Sequence, residues 1–185
     1  MIQSLKEALV NCQNPIITTH KSPDGDAIGS SVALYHFLKK LGKTPLIVLP
    51  DSPAAFLHPF LLDLNYAIYD NQSQTVNDFS VGSSLLFCLD YNGSGRVGSK
   101  MESFVIDFKG QKAMIDHHPN PDPFCDFIIS RTEICSTAQI IYDCIKEMDY
   151  LNLLDAEVGK GIYLGIMTDT GSFRFPSVDK NTHLI

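Results

Sequence analysis

No stretch of eighteen consecutive apolar residues occurs in this chain, so no segment reads as a membrane-spanning helix. It also has no C-x-x-C pair: Cys12, Cys88, Cys125, Cys135 and Cys144 are odd in number and widely scattered. That pattern argues against a disulfide framework and a thiolate zinc site, and it predicts a reducing, cytoplasmic setting. Positive charge is scarce. With 14 Lys and Arg against 21 Asp and Glu, the formal net charge is −7, which disfavours extended binding of a duplex polyanion through a global positive field. Met1 to Gln13 mixes Lys6, Glu7 and Gln13 among its apolar residues and lacks a secretory apolar core and cleavage site, so secretion is not indicated. There is no internal repeat, no low-complexity tract, no Pro/Gly/Ser-rich linker, and no glycine-rich dinucleotide fingerprint after the first strand.

What is present is a chain of 185 residues, 44% hydrophobic and 19% charged, with enough apolar material for one core and the composition of a soluble globular chain. Short apolar runs rich in β-branched residues alternate with segments of helical period, which predicts an α/β fold with a mostly parallel sheet and helices on both faces. The expected strands are Pro15 to Thr19, Thr44 to Leu49, Ser84 to Leu89 and Ala113 to Ile115. A first helix is expected from Asp26 or Ala27 to Leu41, stopped by Gly42, with others from Gly95 to Phe108, Ser136 to Met148 and Asp155 towards Thr168. The segment Asp51 to Asp70, with Pro53 and Pro59, reads as irregular turns and short helix. Gly159, Gly161 and Gly165 suggest close packing of the last helix.

Four segments carry chemistry, each at the end of a predicted element. Thr18 to Ser30 holds His20, Asp24 and Asp26, and Pro23 and Gly25 between strand and helix let these side chains converge on one point; the two acids fit equally well as helix caps. Leu85 to Asp90 delivers one carboxylate from the end of a buried strand. Met114 to Pro119 ends an apolar strand in Asp116, His117 and His118. Neighbouring His side chains are expected to diverge, one towards metal and the other towards a substrate phosphate, with Asp116 orienting a ring nitrogen from behind. Gly165 to Phe173 places Asp169 at the exit of an apolar element.

Together these segments offer His20, Asp24, Asp26, Asp90, His117 and Asp169 as ligands with no Cys among them, a donor set suited to Mn²⁺ or Mg²⁺. So many unpaired carboxylates would repel one another without cations. An Asp bridging two cations about 3.5 to 4 Å apart is one arrangement that activates water against a phosphoryl centre.

These residues resemble the DHH phosphoesterase family of the RecJ-like superfamily, over nearly the whole chain. His20-x-x-Pro23-Asp24-Gly25-Asp26-Ala27-Ile28-Gly29-Ser30 is similar to the family's first motif, Asp90 to its second, Asp116-His117-His118 to its third, and Thr168-Asp169-Thr170-Gly171 to its fourth. The resemblance implies that His20, Asp24 and a bridging Asp90 hold one ion, that Asp26, Asp90, His117 and Asp169 hold the other, and that His118 contacts the scissile phosphate. Within the family the first motif most resembles the oligoribonuclease and phosphoadenosine-phosphate phosphatase branch. Members of that branch carry a further DHH-associated domain with a glycine-rich, His-containing motif, which these residues lack. Residues 1–185 are accordingly expected to be the catalytic metal-binding domain alone, either a fragment or a natural short form.

The expected reaction is hydrolysis of short oligonucleotides or phosphoadenosine phosphate by a metal-bridged hydroxide, with Asp90, His117 and His118 catalytic and two divalent cations, Mn²⁺ before Mg²⁺, as cofactors. The alternatives are an inorganic pyrophosphatase or exopolyphosphatase, and a non-catalytic metal-binding remnant. Lys21, Arg96 and Arg174 are candidate phosphate contacts that equally suit ordinary surface charge, while His36, His58 and His183 lie outside any ligand motif. The expected partners are a short single-stranded oligonucleotide or a small nucleotide phosphate, with no membrane. A homodimer is compatible with the chain, although no residue pattern fixes the oligomeric state.

Overall fold

The computed structural model describes residues 1–185 and is built on a six-stranded sheet, all parallel, in the order β3-β2-β1-β4-β5-β6. The strands are β1 (Ile16–Thr19), β2 (Leu46–Leu49), β3 (Tyr66–Ile68), β4 (Leu85–Leu89), β5 (Gln111–Asp116) and β6 (Phe127–Ser130). β1, β2 and β4 are buried at every position, because helices cover both faces and leave no polar side to the central strands. Successive side chains therefore enter different cores. Ile17, Ile47, Phe87 and Ile115 join a core of 32 buried residues on one face. Ile16, Val48, Leu86 and Met114 join one of 14 on the other.

The larger core is covered by α1 (Ile2–Asn11), α2 (Gly25–Lys40), α5 (Thr137–Glu147) and α6 (Ala156–Asp169); the smaller by α3 (Tyr69–Ser80) and α4 (Glu102–Asp107). α2 is buried from Gly25 through Tyr35, which is where a helix without a polar face must sit. Three helices begin on side-chain caps: Asp24 accepts from the amides of Asp26 and Ala27, Ser136 from that of Gln139, and Asp155 from those of Glu157 and Val158. Gly42, at φ 73°, takes the left-handed conformation just past α2.

The expected α/β layering holds, and the sheet is parallel throughout. The four expected strands form with ends shifted by up to two residues, but β3 and β6 were missing from the expectation. Both are edge strands of three or four residues with interrupted burial, too short for a period to register. α1 and α3 were likewise missing: α3 buries only Val76, so it carries almost no apolar stripe. The helix expected from Gly95 to Phe108 is broken. A 3-10 turn spans Ser94–Val97, Gly98 adopts φ 82°, and the α-helix starts only at Glu102. Asp51 to Asp70 contains a 3-10 helix at Ala55–Leu61 with Pro59 inside it, then β3.

The strand order reverses direction between β1 and β4, and open α/β sheets place ligands beyond the strand ends at such a point. β1 leads into His20, β4 into Asp90, and β5 ends at Asp116, so three of the four predicted segments emerge side by side. No helix is long and apolar enough to cross a membrane.

Candidate metal centre

Asp90 follows the last residue of β4 and adopts φ 65°. Its amide still donates to the Ile115 carbonyl at 3.1 Å, so the sheet ladder holds the backbone while the chain turns away. That conformation costs most L-residues roughly 1–2 kcal/mol, and Asp is among the few that tolerate it. The turn leaves the Asp90 carboxylate 2% exposed between two imidazoles. His20 Nε2 lies 3.5 Å from Oδ2, and His117 Nε2 lies 3.6 Å from Oδ1.

The remaining acids come from two helix ends. Asp26, in the first turn of α2, and Asp169, at the last residue of α6, face His117 Nε2 at 4.0 and 3.5 Å. Their meeting depends on glycine. A Cβ on Gly29 would stand 2.5 Å from the Gly165 amide nitrogen, and one on Gly161 would stand 2.5 Å from the Ala33 nitrogen, so α2 and α6 pack backbone to backbone. A Cβ on Gly165 itself would reach 2.5 Å from Asp26 Oδ1. Of the three glycines expected to pack closely, Gly161 and Gly165 do. Gly159 faces open space, because it lies on the outer side of the same helix.

Six predicted ligands and His118 thus fall into three overlapping groups: His20, Asp24 and Asp90; Asp26, His117 and Asp169; Asp90, His117 and His118. Within each group the donor atoms lie within 4.8 Å of one another. Asp24 serves two roles, capping α2 through Oδ1 and standing 3.8 Å from His20, so cap and ligand are not exclusive. His20 Nδ1 sits 2.8 Å from the Lys21 carbonyl, which only accepts, so the hydrogen resides there and Nε2 faces the carboxylates.

Electrostatics mark the cluster as unbalanced without cations. Burial pushes the Asp26 carboxyl well up, and the charge of Asp90 adds to it, outweighing two amide hydrogen bonds. Asp169 is pushed up by burial and by Asp90 and Asp24, against the pull of His117. Burial of the His20 ring works to lower its pKa, but Asp24, Asp90 and the Lys21 carbonyl overcome that and raise it to about 10. Desolvation at Asp24 is outweighed by His20 and by the Ala27 and Asp26 amides, which hold its carboxyl down to about 2. No lysine or arginine pairs with Asp26, Asp90 or Asp169; imidazoles are the only ionisable bases within 4.0 Å of them. Oxygen and imidazole donors gathered this closely around a charge deficit fit divalent cations.

One expectation about the His pair is corrected. His117 and His118 do not diverge: their ring centroids are 4.6 Å apart and both approach Asp90. They lie beyond the end of β5, where the alternation of a strand no longer applies. Asp116, fully buried, accepts from the His118 amide through Oδ2 at 3.1 Å and meets His118 Nδ1 through Oδ1 at 2.8 Å. The hydrogen bond to Asp116 raises the His118 pKa against the opposing effect of burial.

The three candidate phosphate contacts are exposed, and Arg96 lies near enough to His118 for its charge to oppose protonation of that ring. Lys21 and Arg96 are exposed, joined by a backbone bond from the Lys21 amide to the Arg96 carbonyl, and Arg174 donates to the Gly171 carbonyl. Thr137 escaped the sequence reading. Its hydroxyl donates to Asp90 Oδ1 at 2.8 Å, and its amide and that of Ala138 donate to Asp26 at 2.6 and 2.9 Å. The only available signal was the Ser136-Thr137 start of a predicted helix. The molecule's largest groove, a cavity of about 690 Å³ between α3 and α4, has a single carboxylate in its wall, Asp107, and no imidazole.

Residues 14–166 match the N-terminal domain of the DHH family. The chain is 36% identical over 171 residues to the bifunctional oligoribonuclease and PAP phosphatase NrnA of Thermus thermophilus, covering 91% of this chain and 47% of that protein. It is 30% identical over 169 residues to the NrnA of Bacillus subtilis, covering 90% of this chain and 49% of that protein. The chain therefore spans about half the length of these curated relatives. The crystal structure of an exopolyphosphatase-related protein from Bacteroides fragilis superposes with a TM-score of 0.94 at 33% identity, over 99% of this chain and 54% of that one. With its motifs gathered beyond the ends of β1, β4 and β5, and residues 14–166 matching the family's N-terminal domain, the chain belongs to the DHH family.

Proposed function

We propose that this chain is the catalytic domain of a two-metal phosphoesterase acting on short oligonucleotides and phosphoadenosine phosphate. The observation that carries this reading is the overlap of the three ligand groups: Asp90 and His117 are each shared, so one carboxylate faces two neighbouring ligand sets. His20, Asp24 and Asp90 would hold one ion, and Asp26, Asp90, His117 and Asp169 the other. Bound there, divalent cations, Mn²⁺ in the first instance, supply Lewis acidity that activates water and neutralises phosphoryl charge. Similarity to the two NrnA proteins supports the choice of substrates.

The chain's own residues do the positioning. Asp90 presents Oδ2 towards His20 and Oδ1 towards His117. His118, fixed through Nδ1 by Asp116, keeps Nε2 free of protein partners and holds a proton more readily than an ordinary imidazole. That nitrogen suits contact with a phosphate oxygen, with Asp116 orienting the ring and compensating its charge.

A second reading, cleavage of pyrophosphate or polyphosphate, is favoured by the resemblance to the exopolyphosphatase-related protein. The test is Mn²⁺-dependent release of nucleoside monophosphate from a short RNA oligomer and of phosphate from phosphoadenosine phosphate, beside pyrophosphate and polyphosphate, with Asp90→Ala as the blank. Turnover of the nucleotides, lost in Asp90→Ala, supports the proposal. Orthophosphate from the inorganic substrates alone supports the second reading, and metal binding without any turnover overturns both.

A further inference from the structure

We infer that Thr137 is a positioning residue for the metal centre, holding Asp26 and Asp90 in fixed relation through the first turn of α5. This rests on the proposal that both acids are metal ligands. Thr137 bonds to the two from one residue: its amide donates to Asp26 Oδ2 at 2.6 Å and its hydroxyl to Asp90 Oδ1 at 2.8 Å. The Ala138 amide takes the other oxygen of Asp26, at 2.9 Å. All of these groups are buried, where charge-assisted hydrogen bonds are strong and water does not compete.

The two acids do different things with these bonds. Asp26 has both oxygens tied to backbone amides, so its carboxylate plane is set by α5 whatever the side chain at 137. At the Asp90 carboxylate the short hydrogen bond is the one from Thr137, with the His20 and His117 nitrogens farther off at 3.5 and 3.6 Å. The last bond of the Asp90 side chain is a broad, roughly two-fold torsion, and the Thr137 hydroxyl is the close hydrogen bond that fixes it. Rotation would take Oδ1 away from His117 and Oδ2 away from His20, the placement a bridging ligand needs. The hydroxyl's single proton is committed to Asp90, because no other side-chain or backbone acceptor meets it. Ser136 seats the arrangement by capping α5 through the Gln139 amide, and Gly165 leaves room for both Ala138 Cβ and Asp26.

The test is Mn²⁺ titration of the metal-free protein by calorimetry for wild type, Thr137→Val, Thr137→Ser and Asp90→Ala, with a melting curve for each. Valine keeps the shape and the amide but removes the donor; serine restores the donor. Thr137→Val is expected to bind Mn²⁺ about 10–100-fold more weakly, the usual loss when a residue that orients a ligand is removed. Thr137→Ser should recover most of that, and the metal-free melting point of Thr137→Ser should stay close to that of wild type. Wild-type affinity in Thr137→Val beside lost binding in Asp90→Ala overturns the inference alone. Equal weakening in Thr137→Val and Thr137→Ser overturns it too, since packing and not the hydroxyl would then be responsible. Unchanged binding in Asp90→Ala overturns the proposal beneath it. If Thr137→Val fails to fold, Thr137→Ser against Thr137→Ala reads the same hydroxyl.

Discussion

The two helical layers flanking the sheet are unequal. On one face α2, α5 and α6 pack over a core of 32 buried residues, with backbones touching through Gly29, Gly161 and Gly165. On the other, α3 and α4 cover 14 buried residues and leave a groove of about 690 Å³ between them. The dense layer supplies Asp24, Asp26, Asp169 and the proposed α5 clamp; the thin layer contributes none of the proposed ligands. The candidate donors from helices therefore sit where backbone-to-backbone packing resists a shift, which suits a site whose donors must be held to within a fraction of an ångström.

The largest effect should come from the hinge between the layers. Asp90→Asn is expected to lower Mn²⁺ affinity and turnover at least 100-fold, of order a lost ligand. It should also let Asp26 and Asp169 ionise at lower pH in the metal-free protein, because the charge that pushes them up is gone. Calorimetric titration with Mn²⁺ and carboxyl titration by NMR check both, and retained affinity would remove Asp90 from the ligand set.

Next come two substitutions that should cost similar stability and differ in function. Gly165→Ala drives a methyl against Asp26 and Ala138 and should cost about 1–3 kcal/mol, as overpacking does. Val76→Ala in the thin layer opens a void at about 1–3 kcal/mol. Only Gly165→Ala should weaken Mn²⁺ binding; equal weakening in both would show the layers to be alike in their hold on the site.

Stability against pH separates the apo and metal-bound states. With a folded pKa of about 10 against 6.5, His20 contributes stability that is full below pH 6.5 and lost as pH rises through 10. The raised carboxyls of Asp26 and Asp169 act in the same sense, favouring the fold while protonated. Asp24, lowered to about 2, acts oppositely, losing its contribution only as pH falls from 3.8 towards 2. The metal-free melting point should therefore fall between pH 7 and 10, whereas Mn²⁺ affinity should rise over the same interval as cations displace protons. An apo melting point that climbs with pH would show that the carboxylates do not share His20's proton.

The smallest effect belongs to the glycine that the packing does not use. Gly159→Ala places a methyl in open space on an exposed helical position and should stabilise the chain by about 0.5–1 kcal/mol without change in metal affinity. A loss of stability there would mean that the outer side of α6 is covered in the working protein.

The residues alone determined a good deal here. Buried strands announced themselves by unbroken apolar runs, the acids and imidazoles at their ends by contrast with those runs, and the ordered motifs by their spacing. These are local signals, since a strand, its exit turn and the first residue beyond lie within ten positions of one another. β3, β6 and α3 lacked such signals because short edge strands and a helix with little apolar stripe are stabilised by neighbours rather than by their own period; α1 does carry a stripe, Ile2, Leu5 and Leu9, that the expectation passed over. Only the tertiary structure could decide that His117 and His118 turn the same way, that Gly161 and Gly165 touch α2 while Gly159 does not, and that Thr137 grips Asp90 from 47 positions away. Those facts depend on which elements become neighbours, and the strand order at the β1/β4 reversal settles that, not any one stretch of sequence.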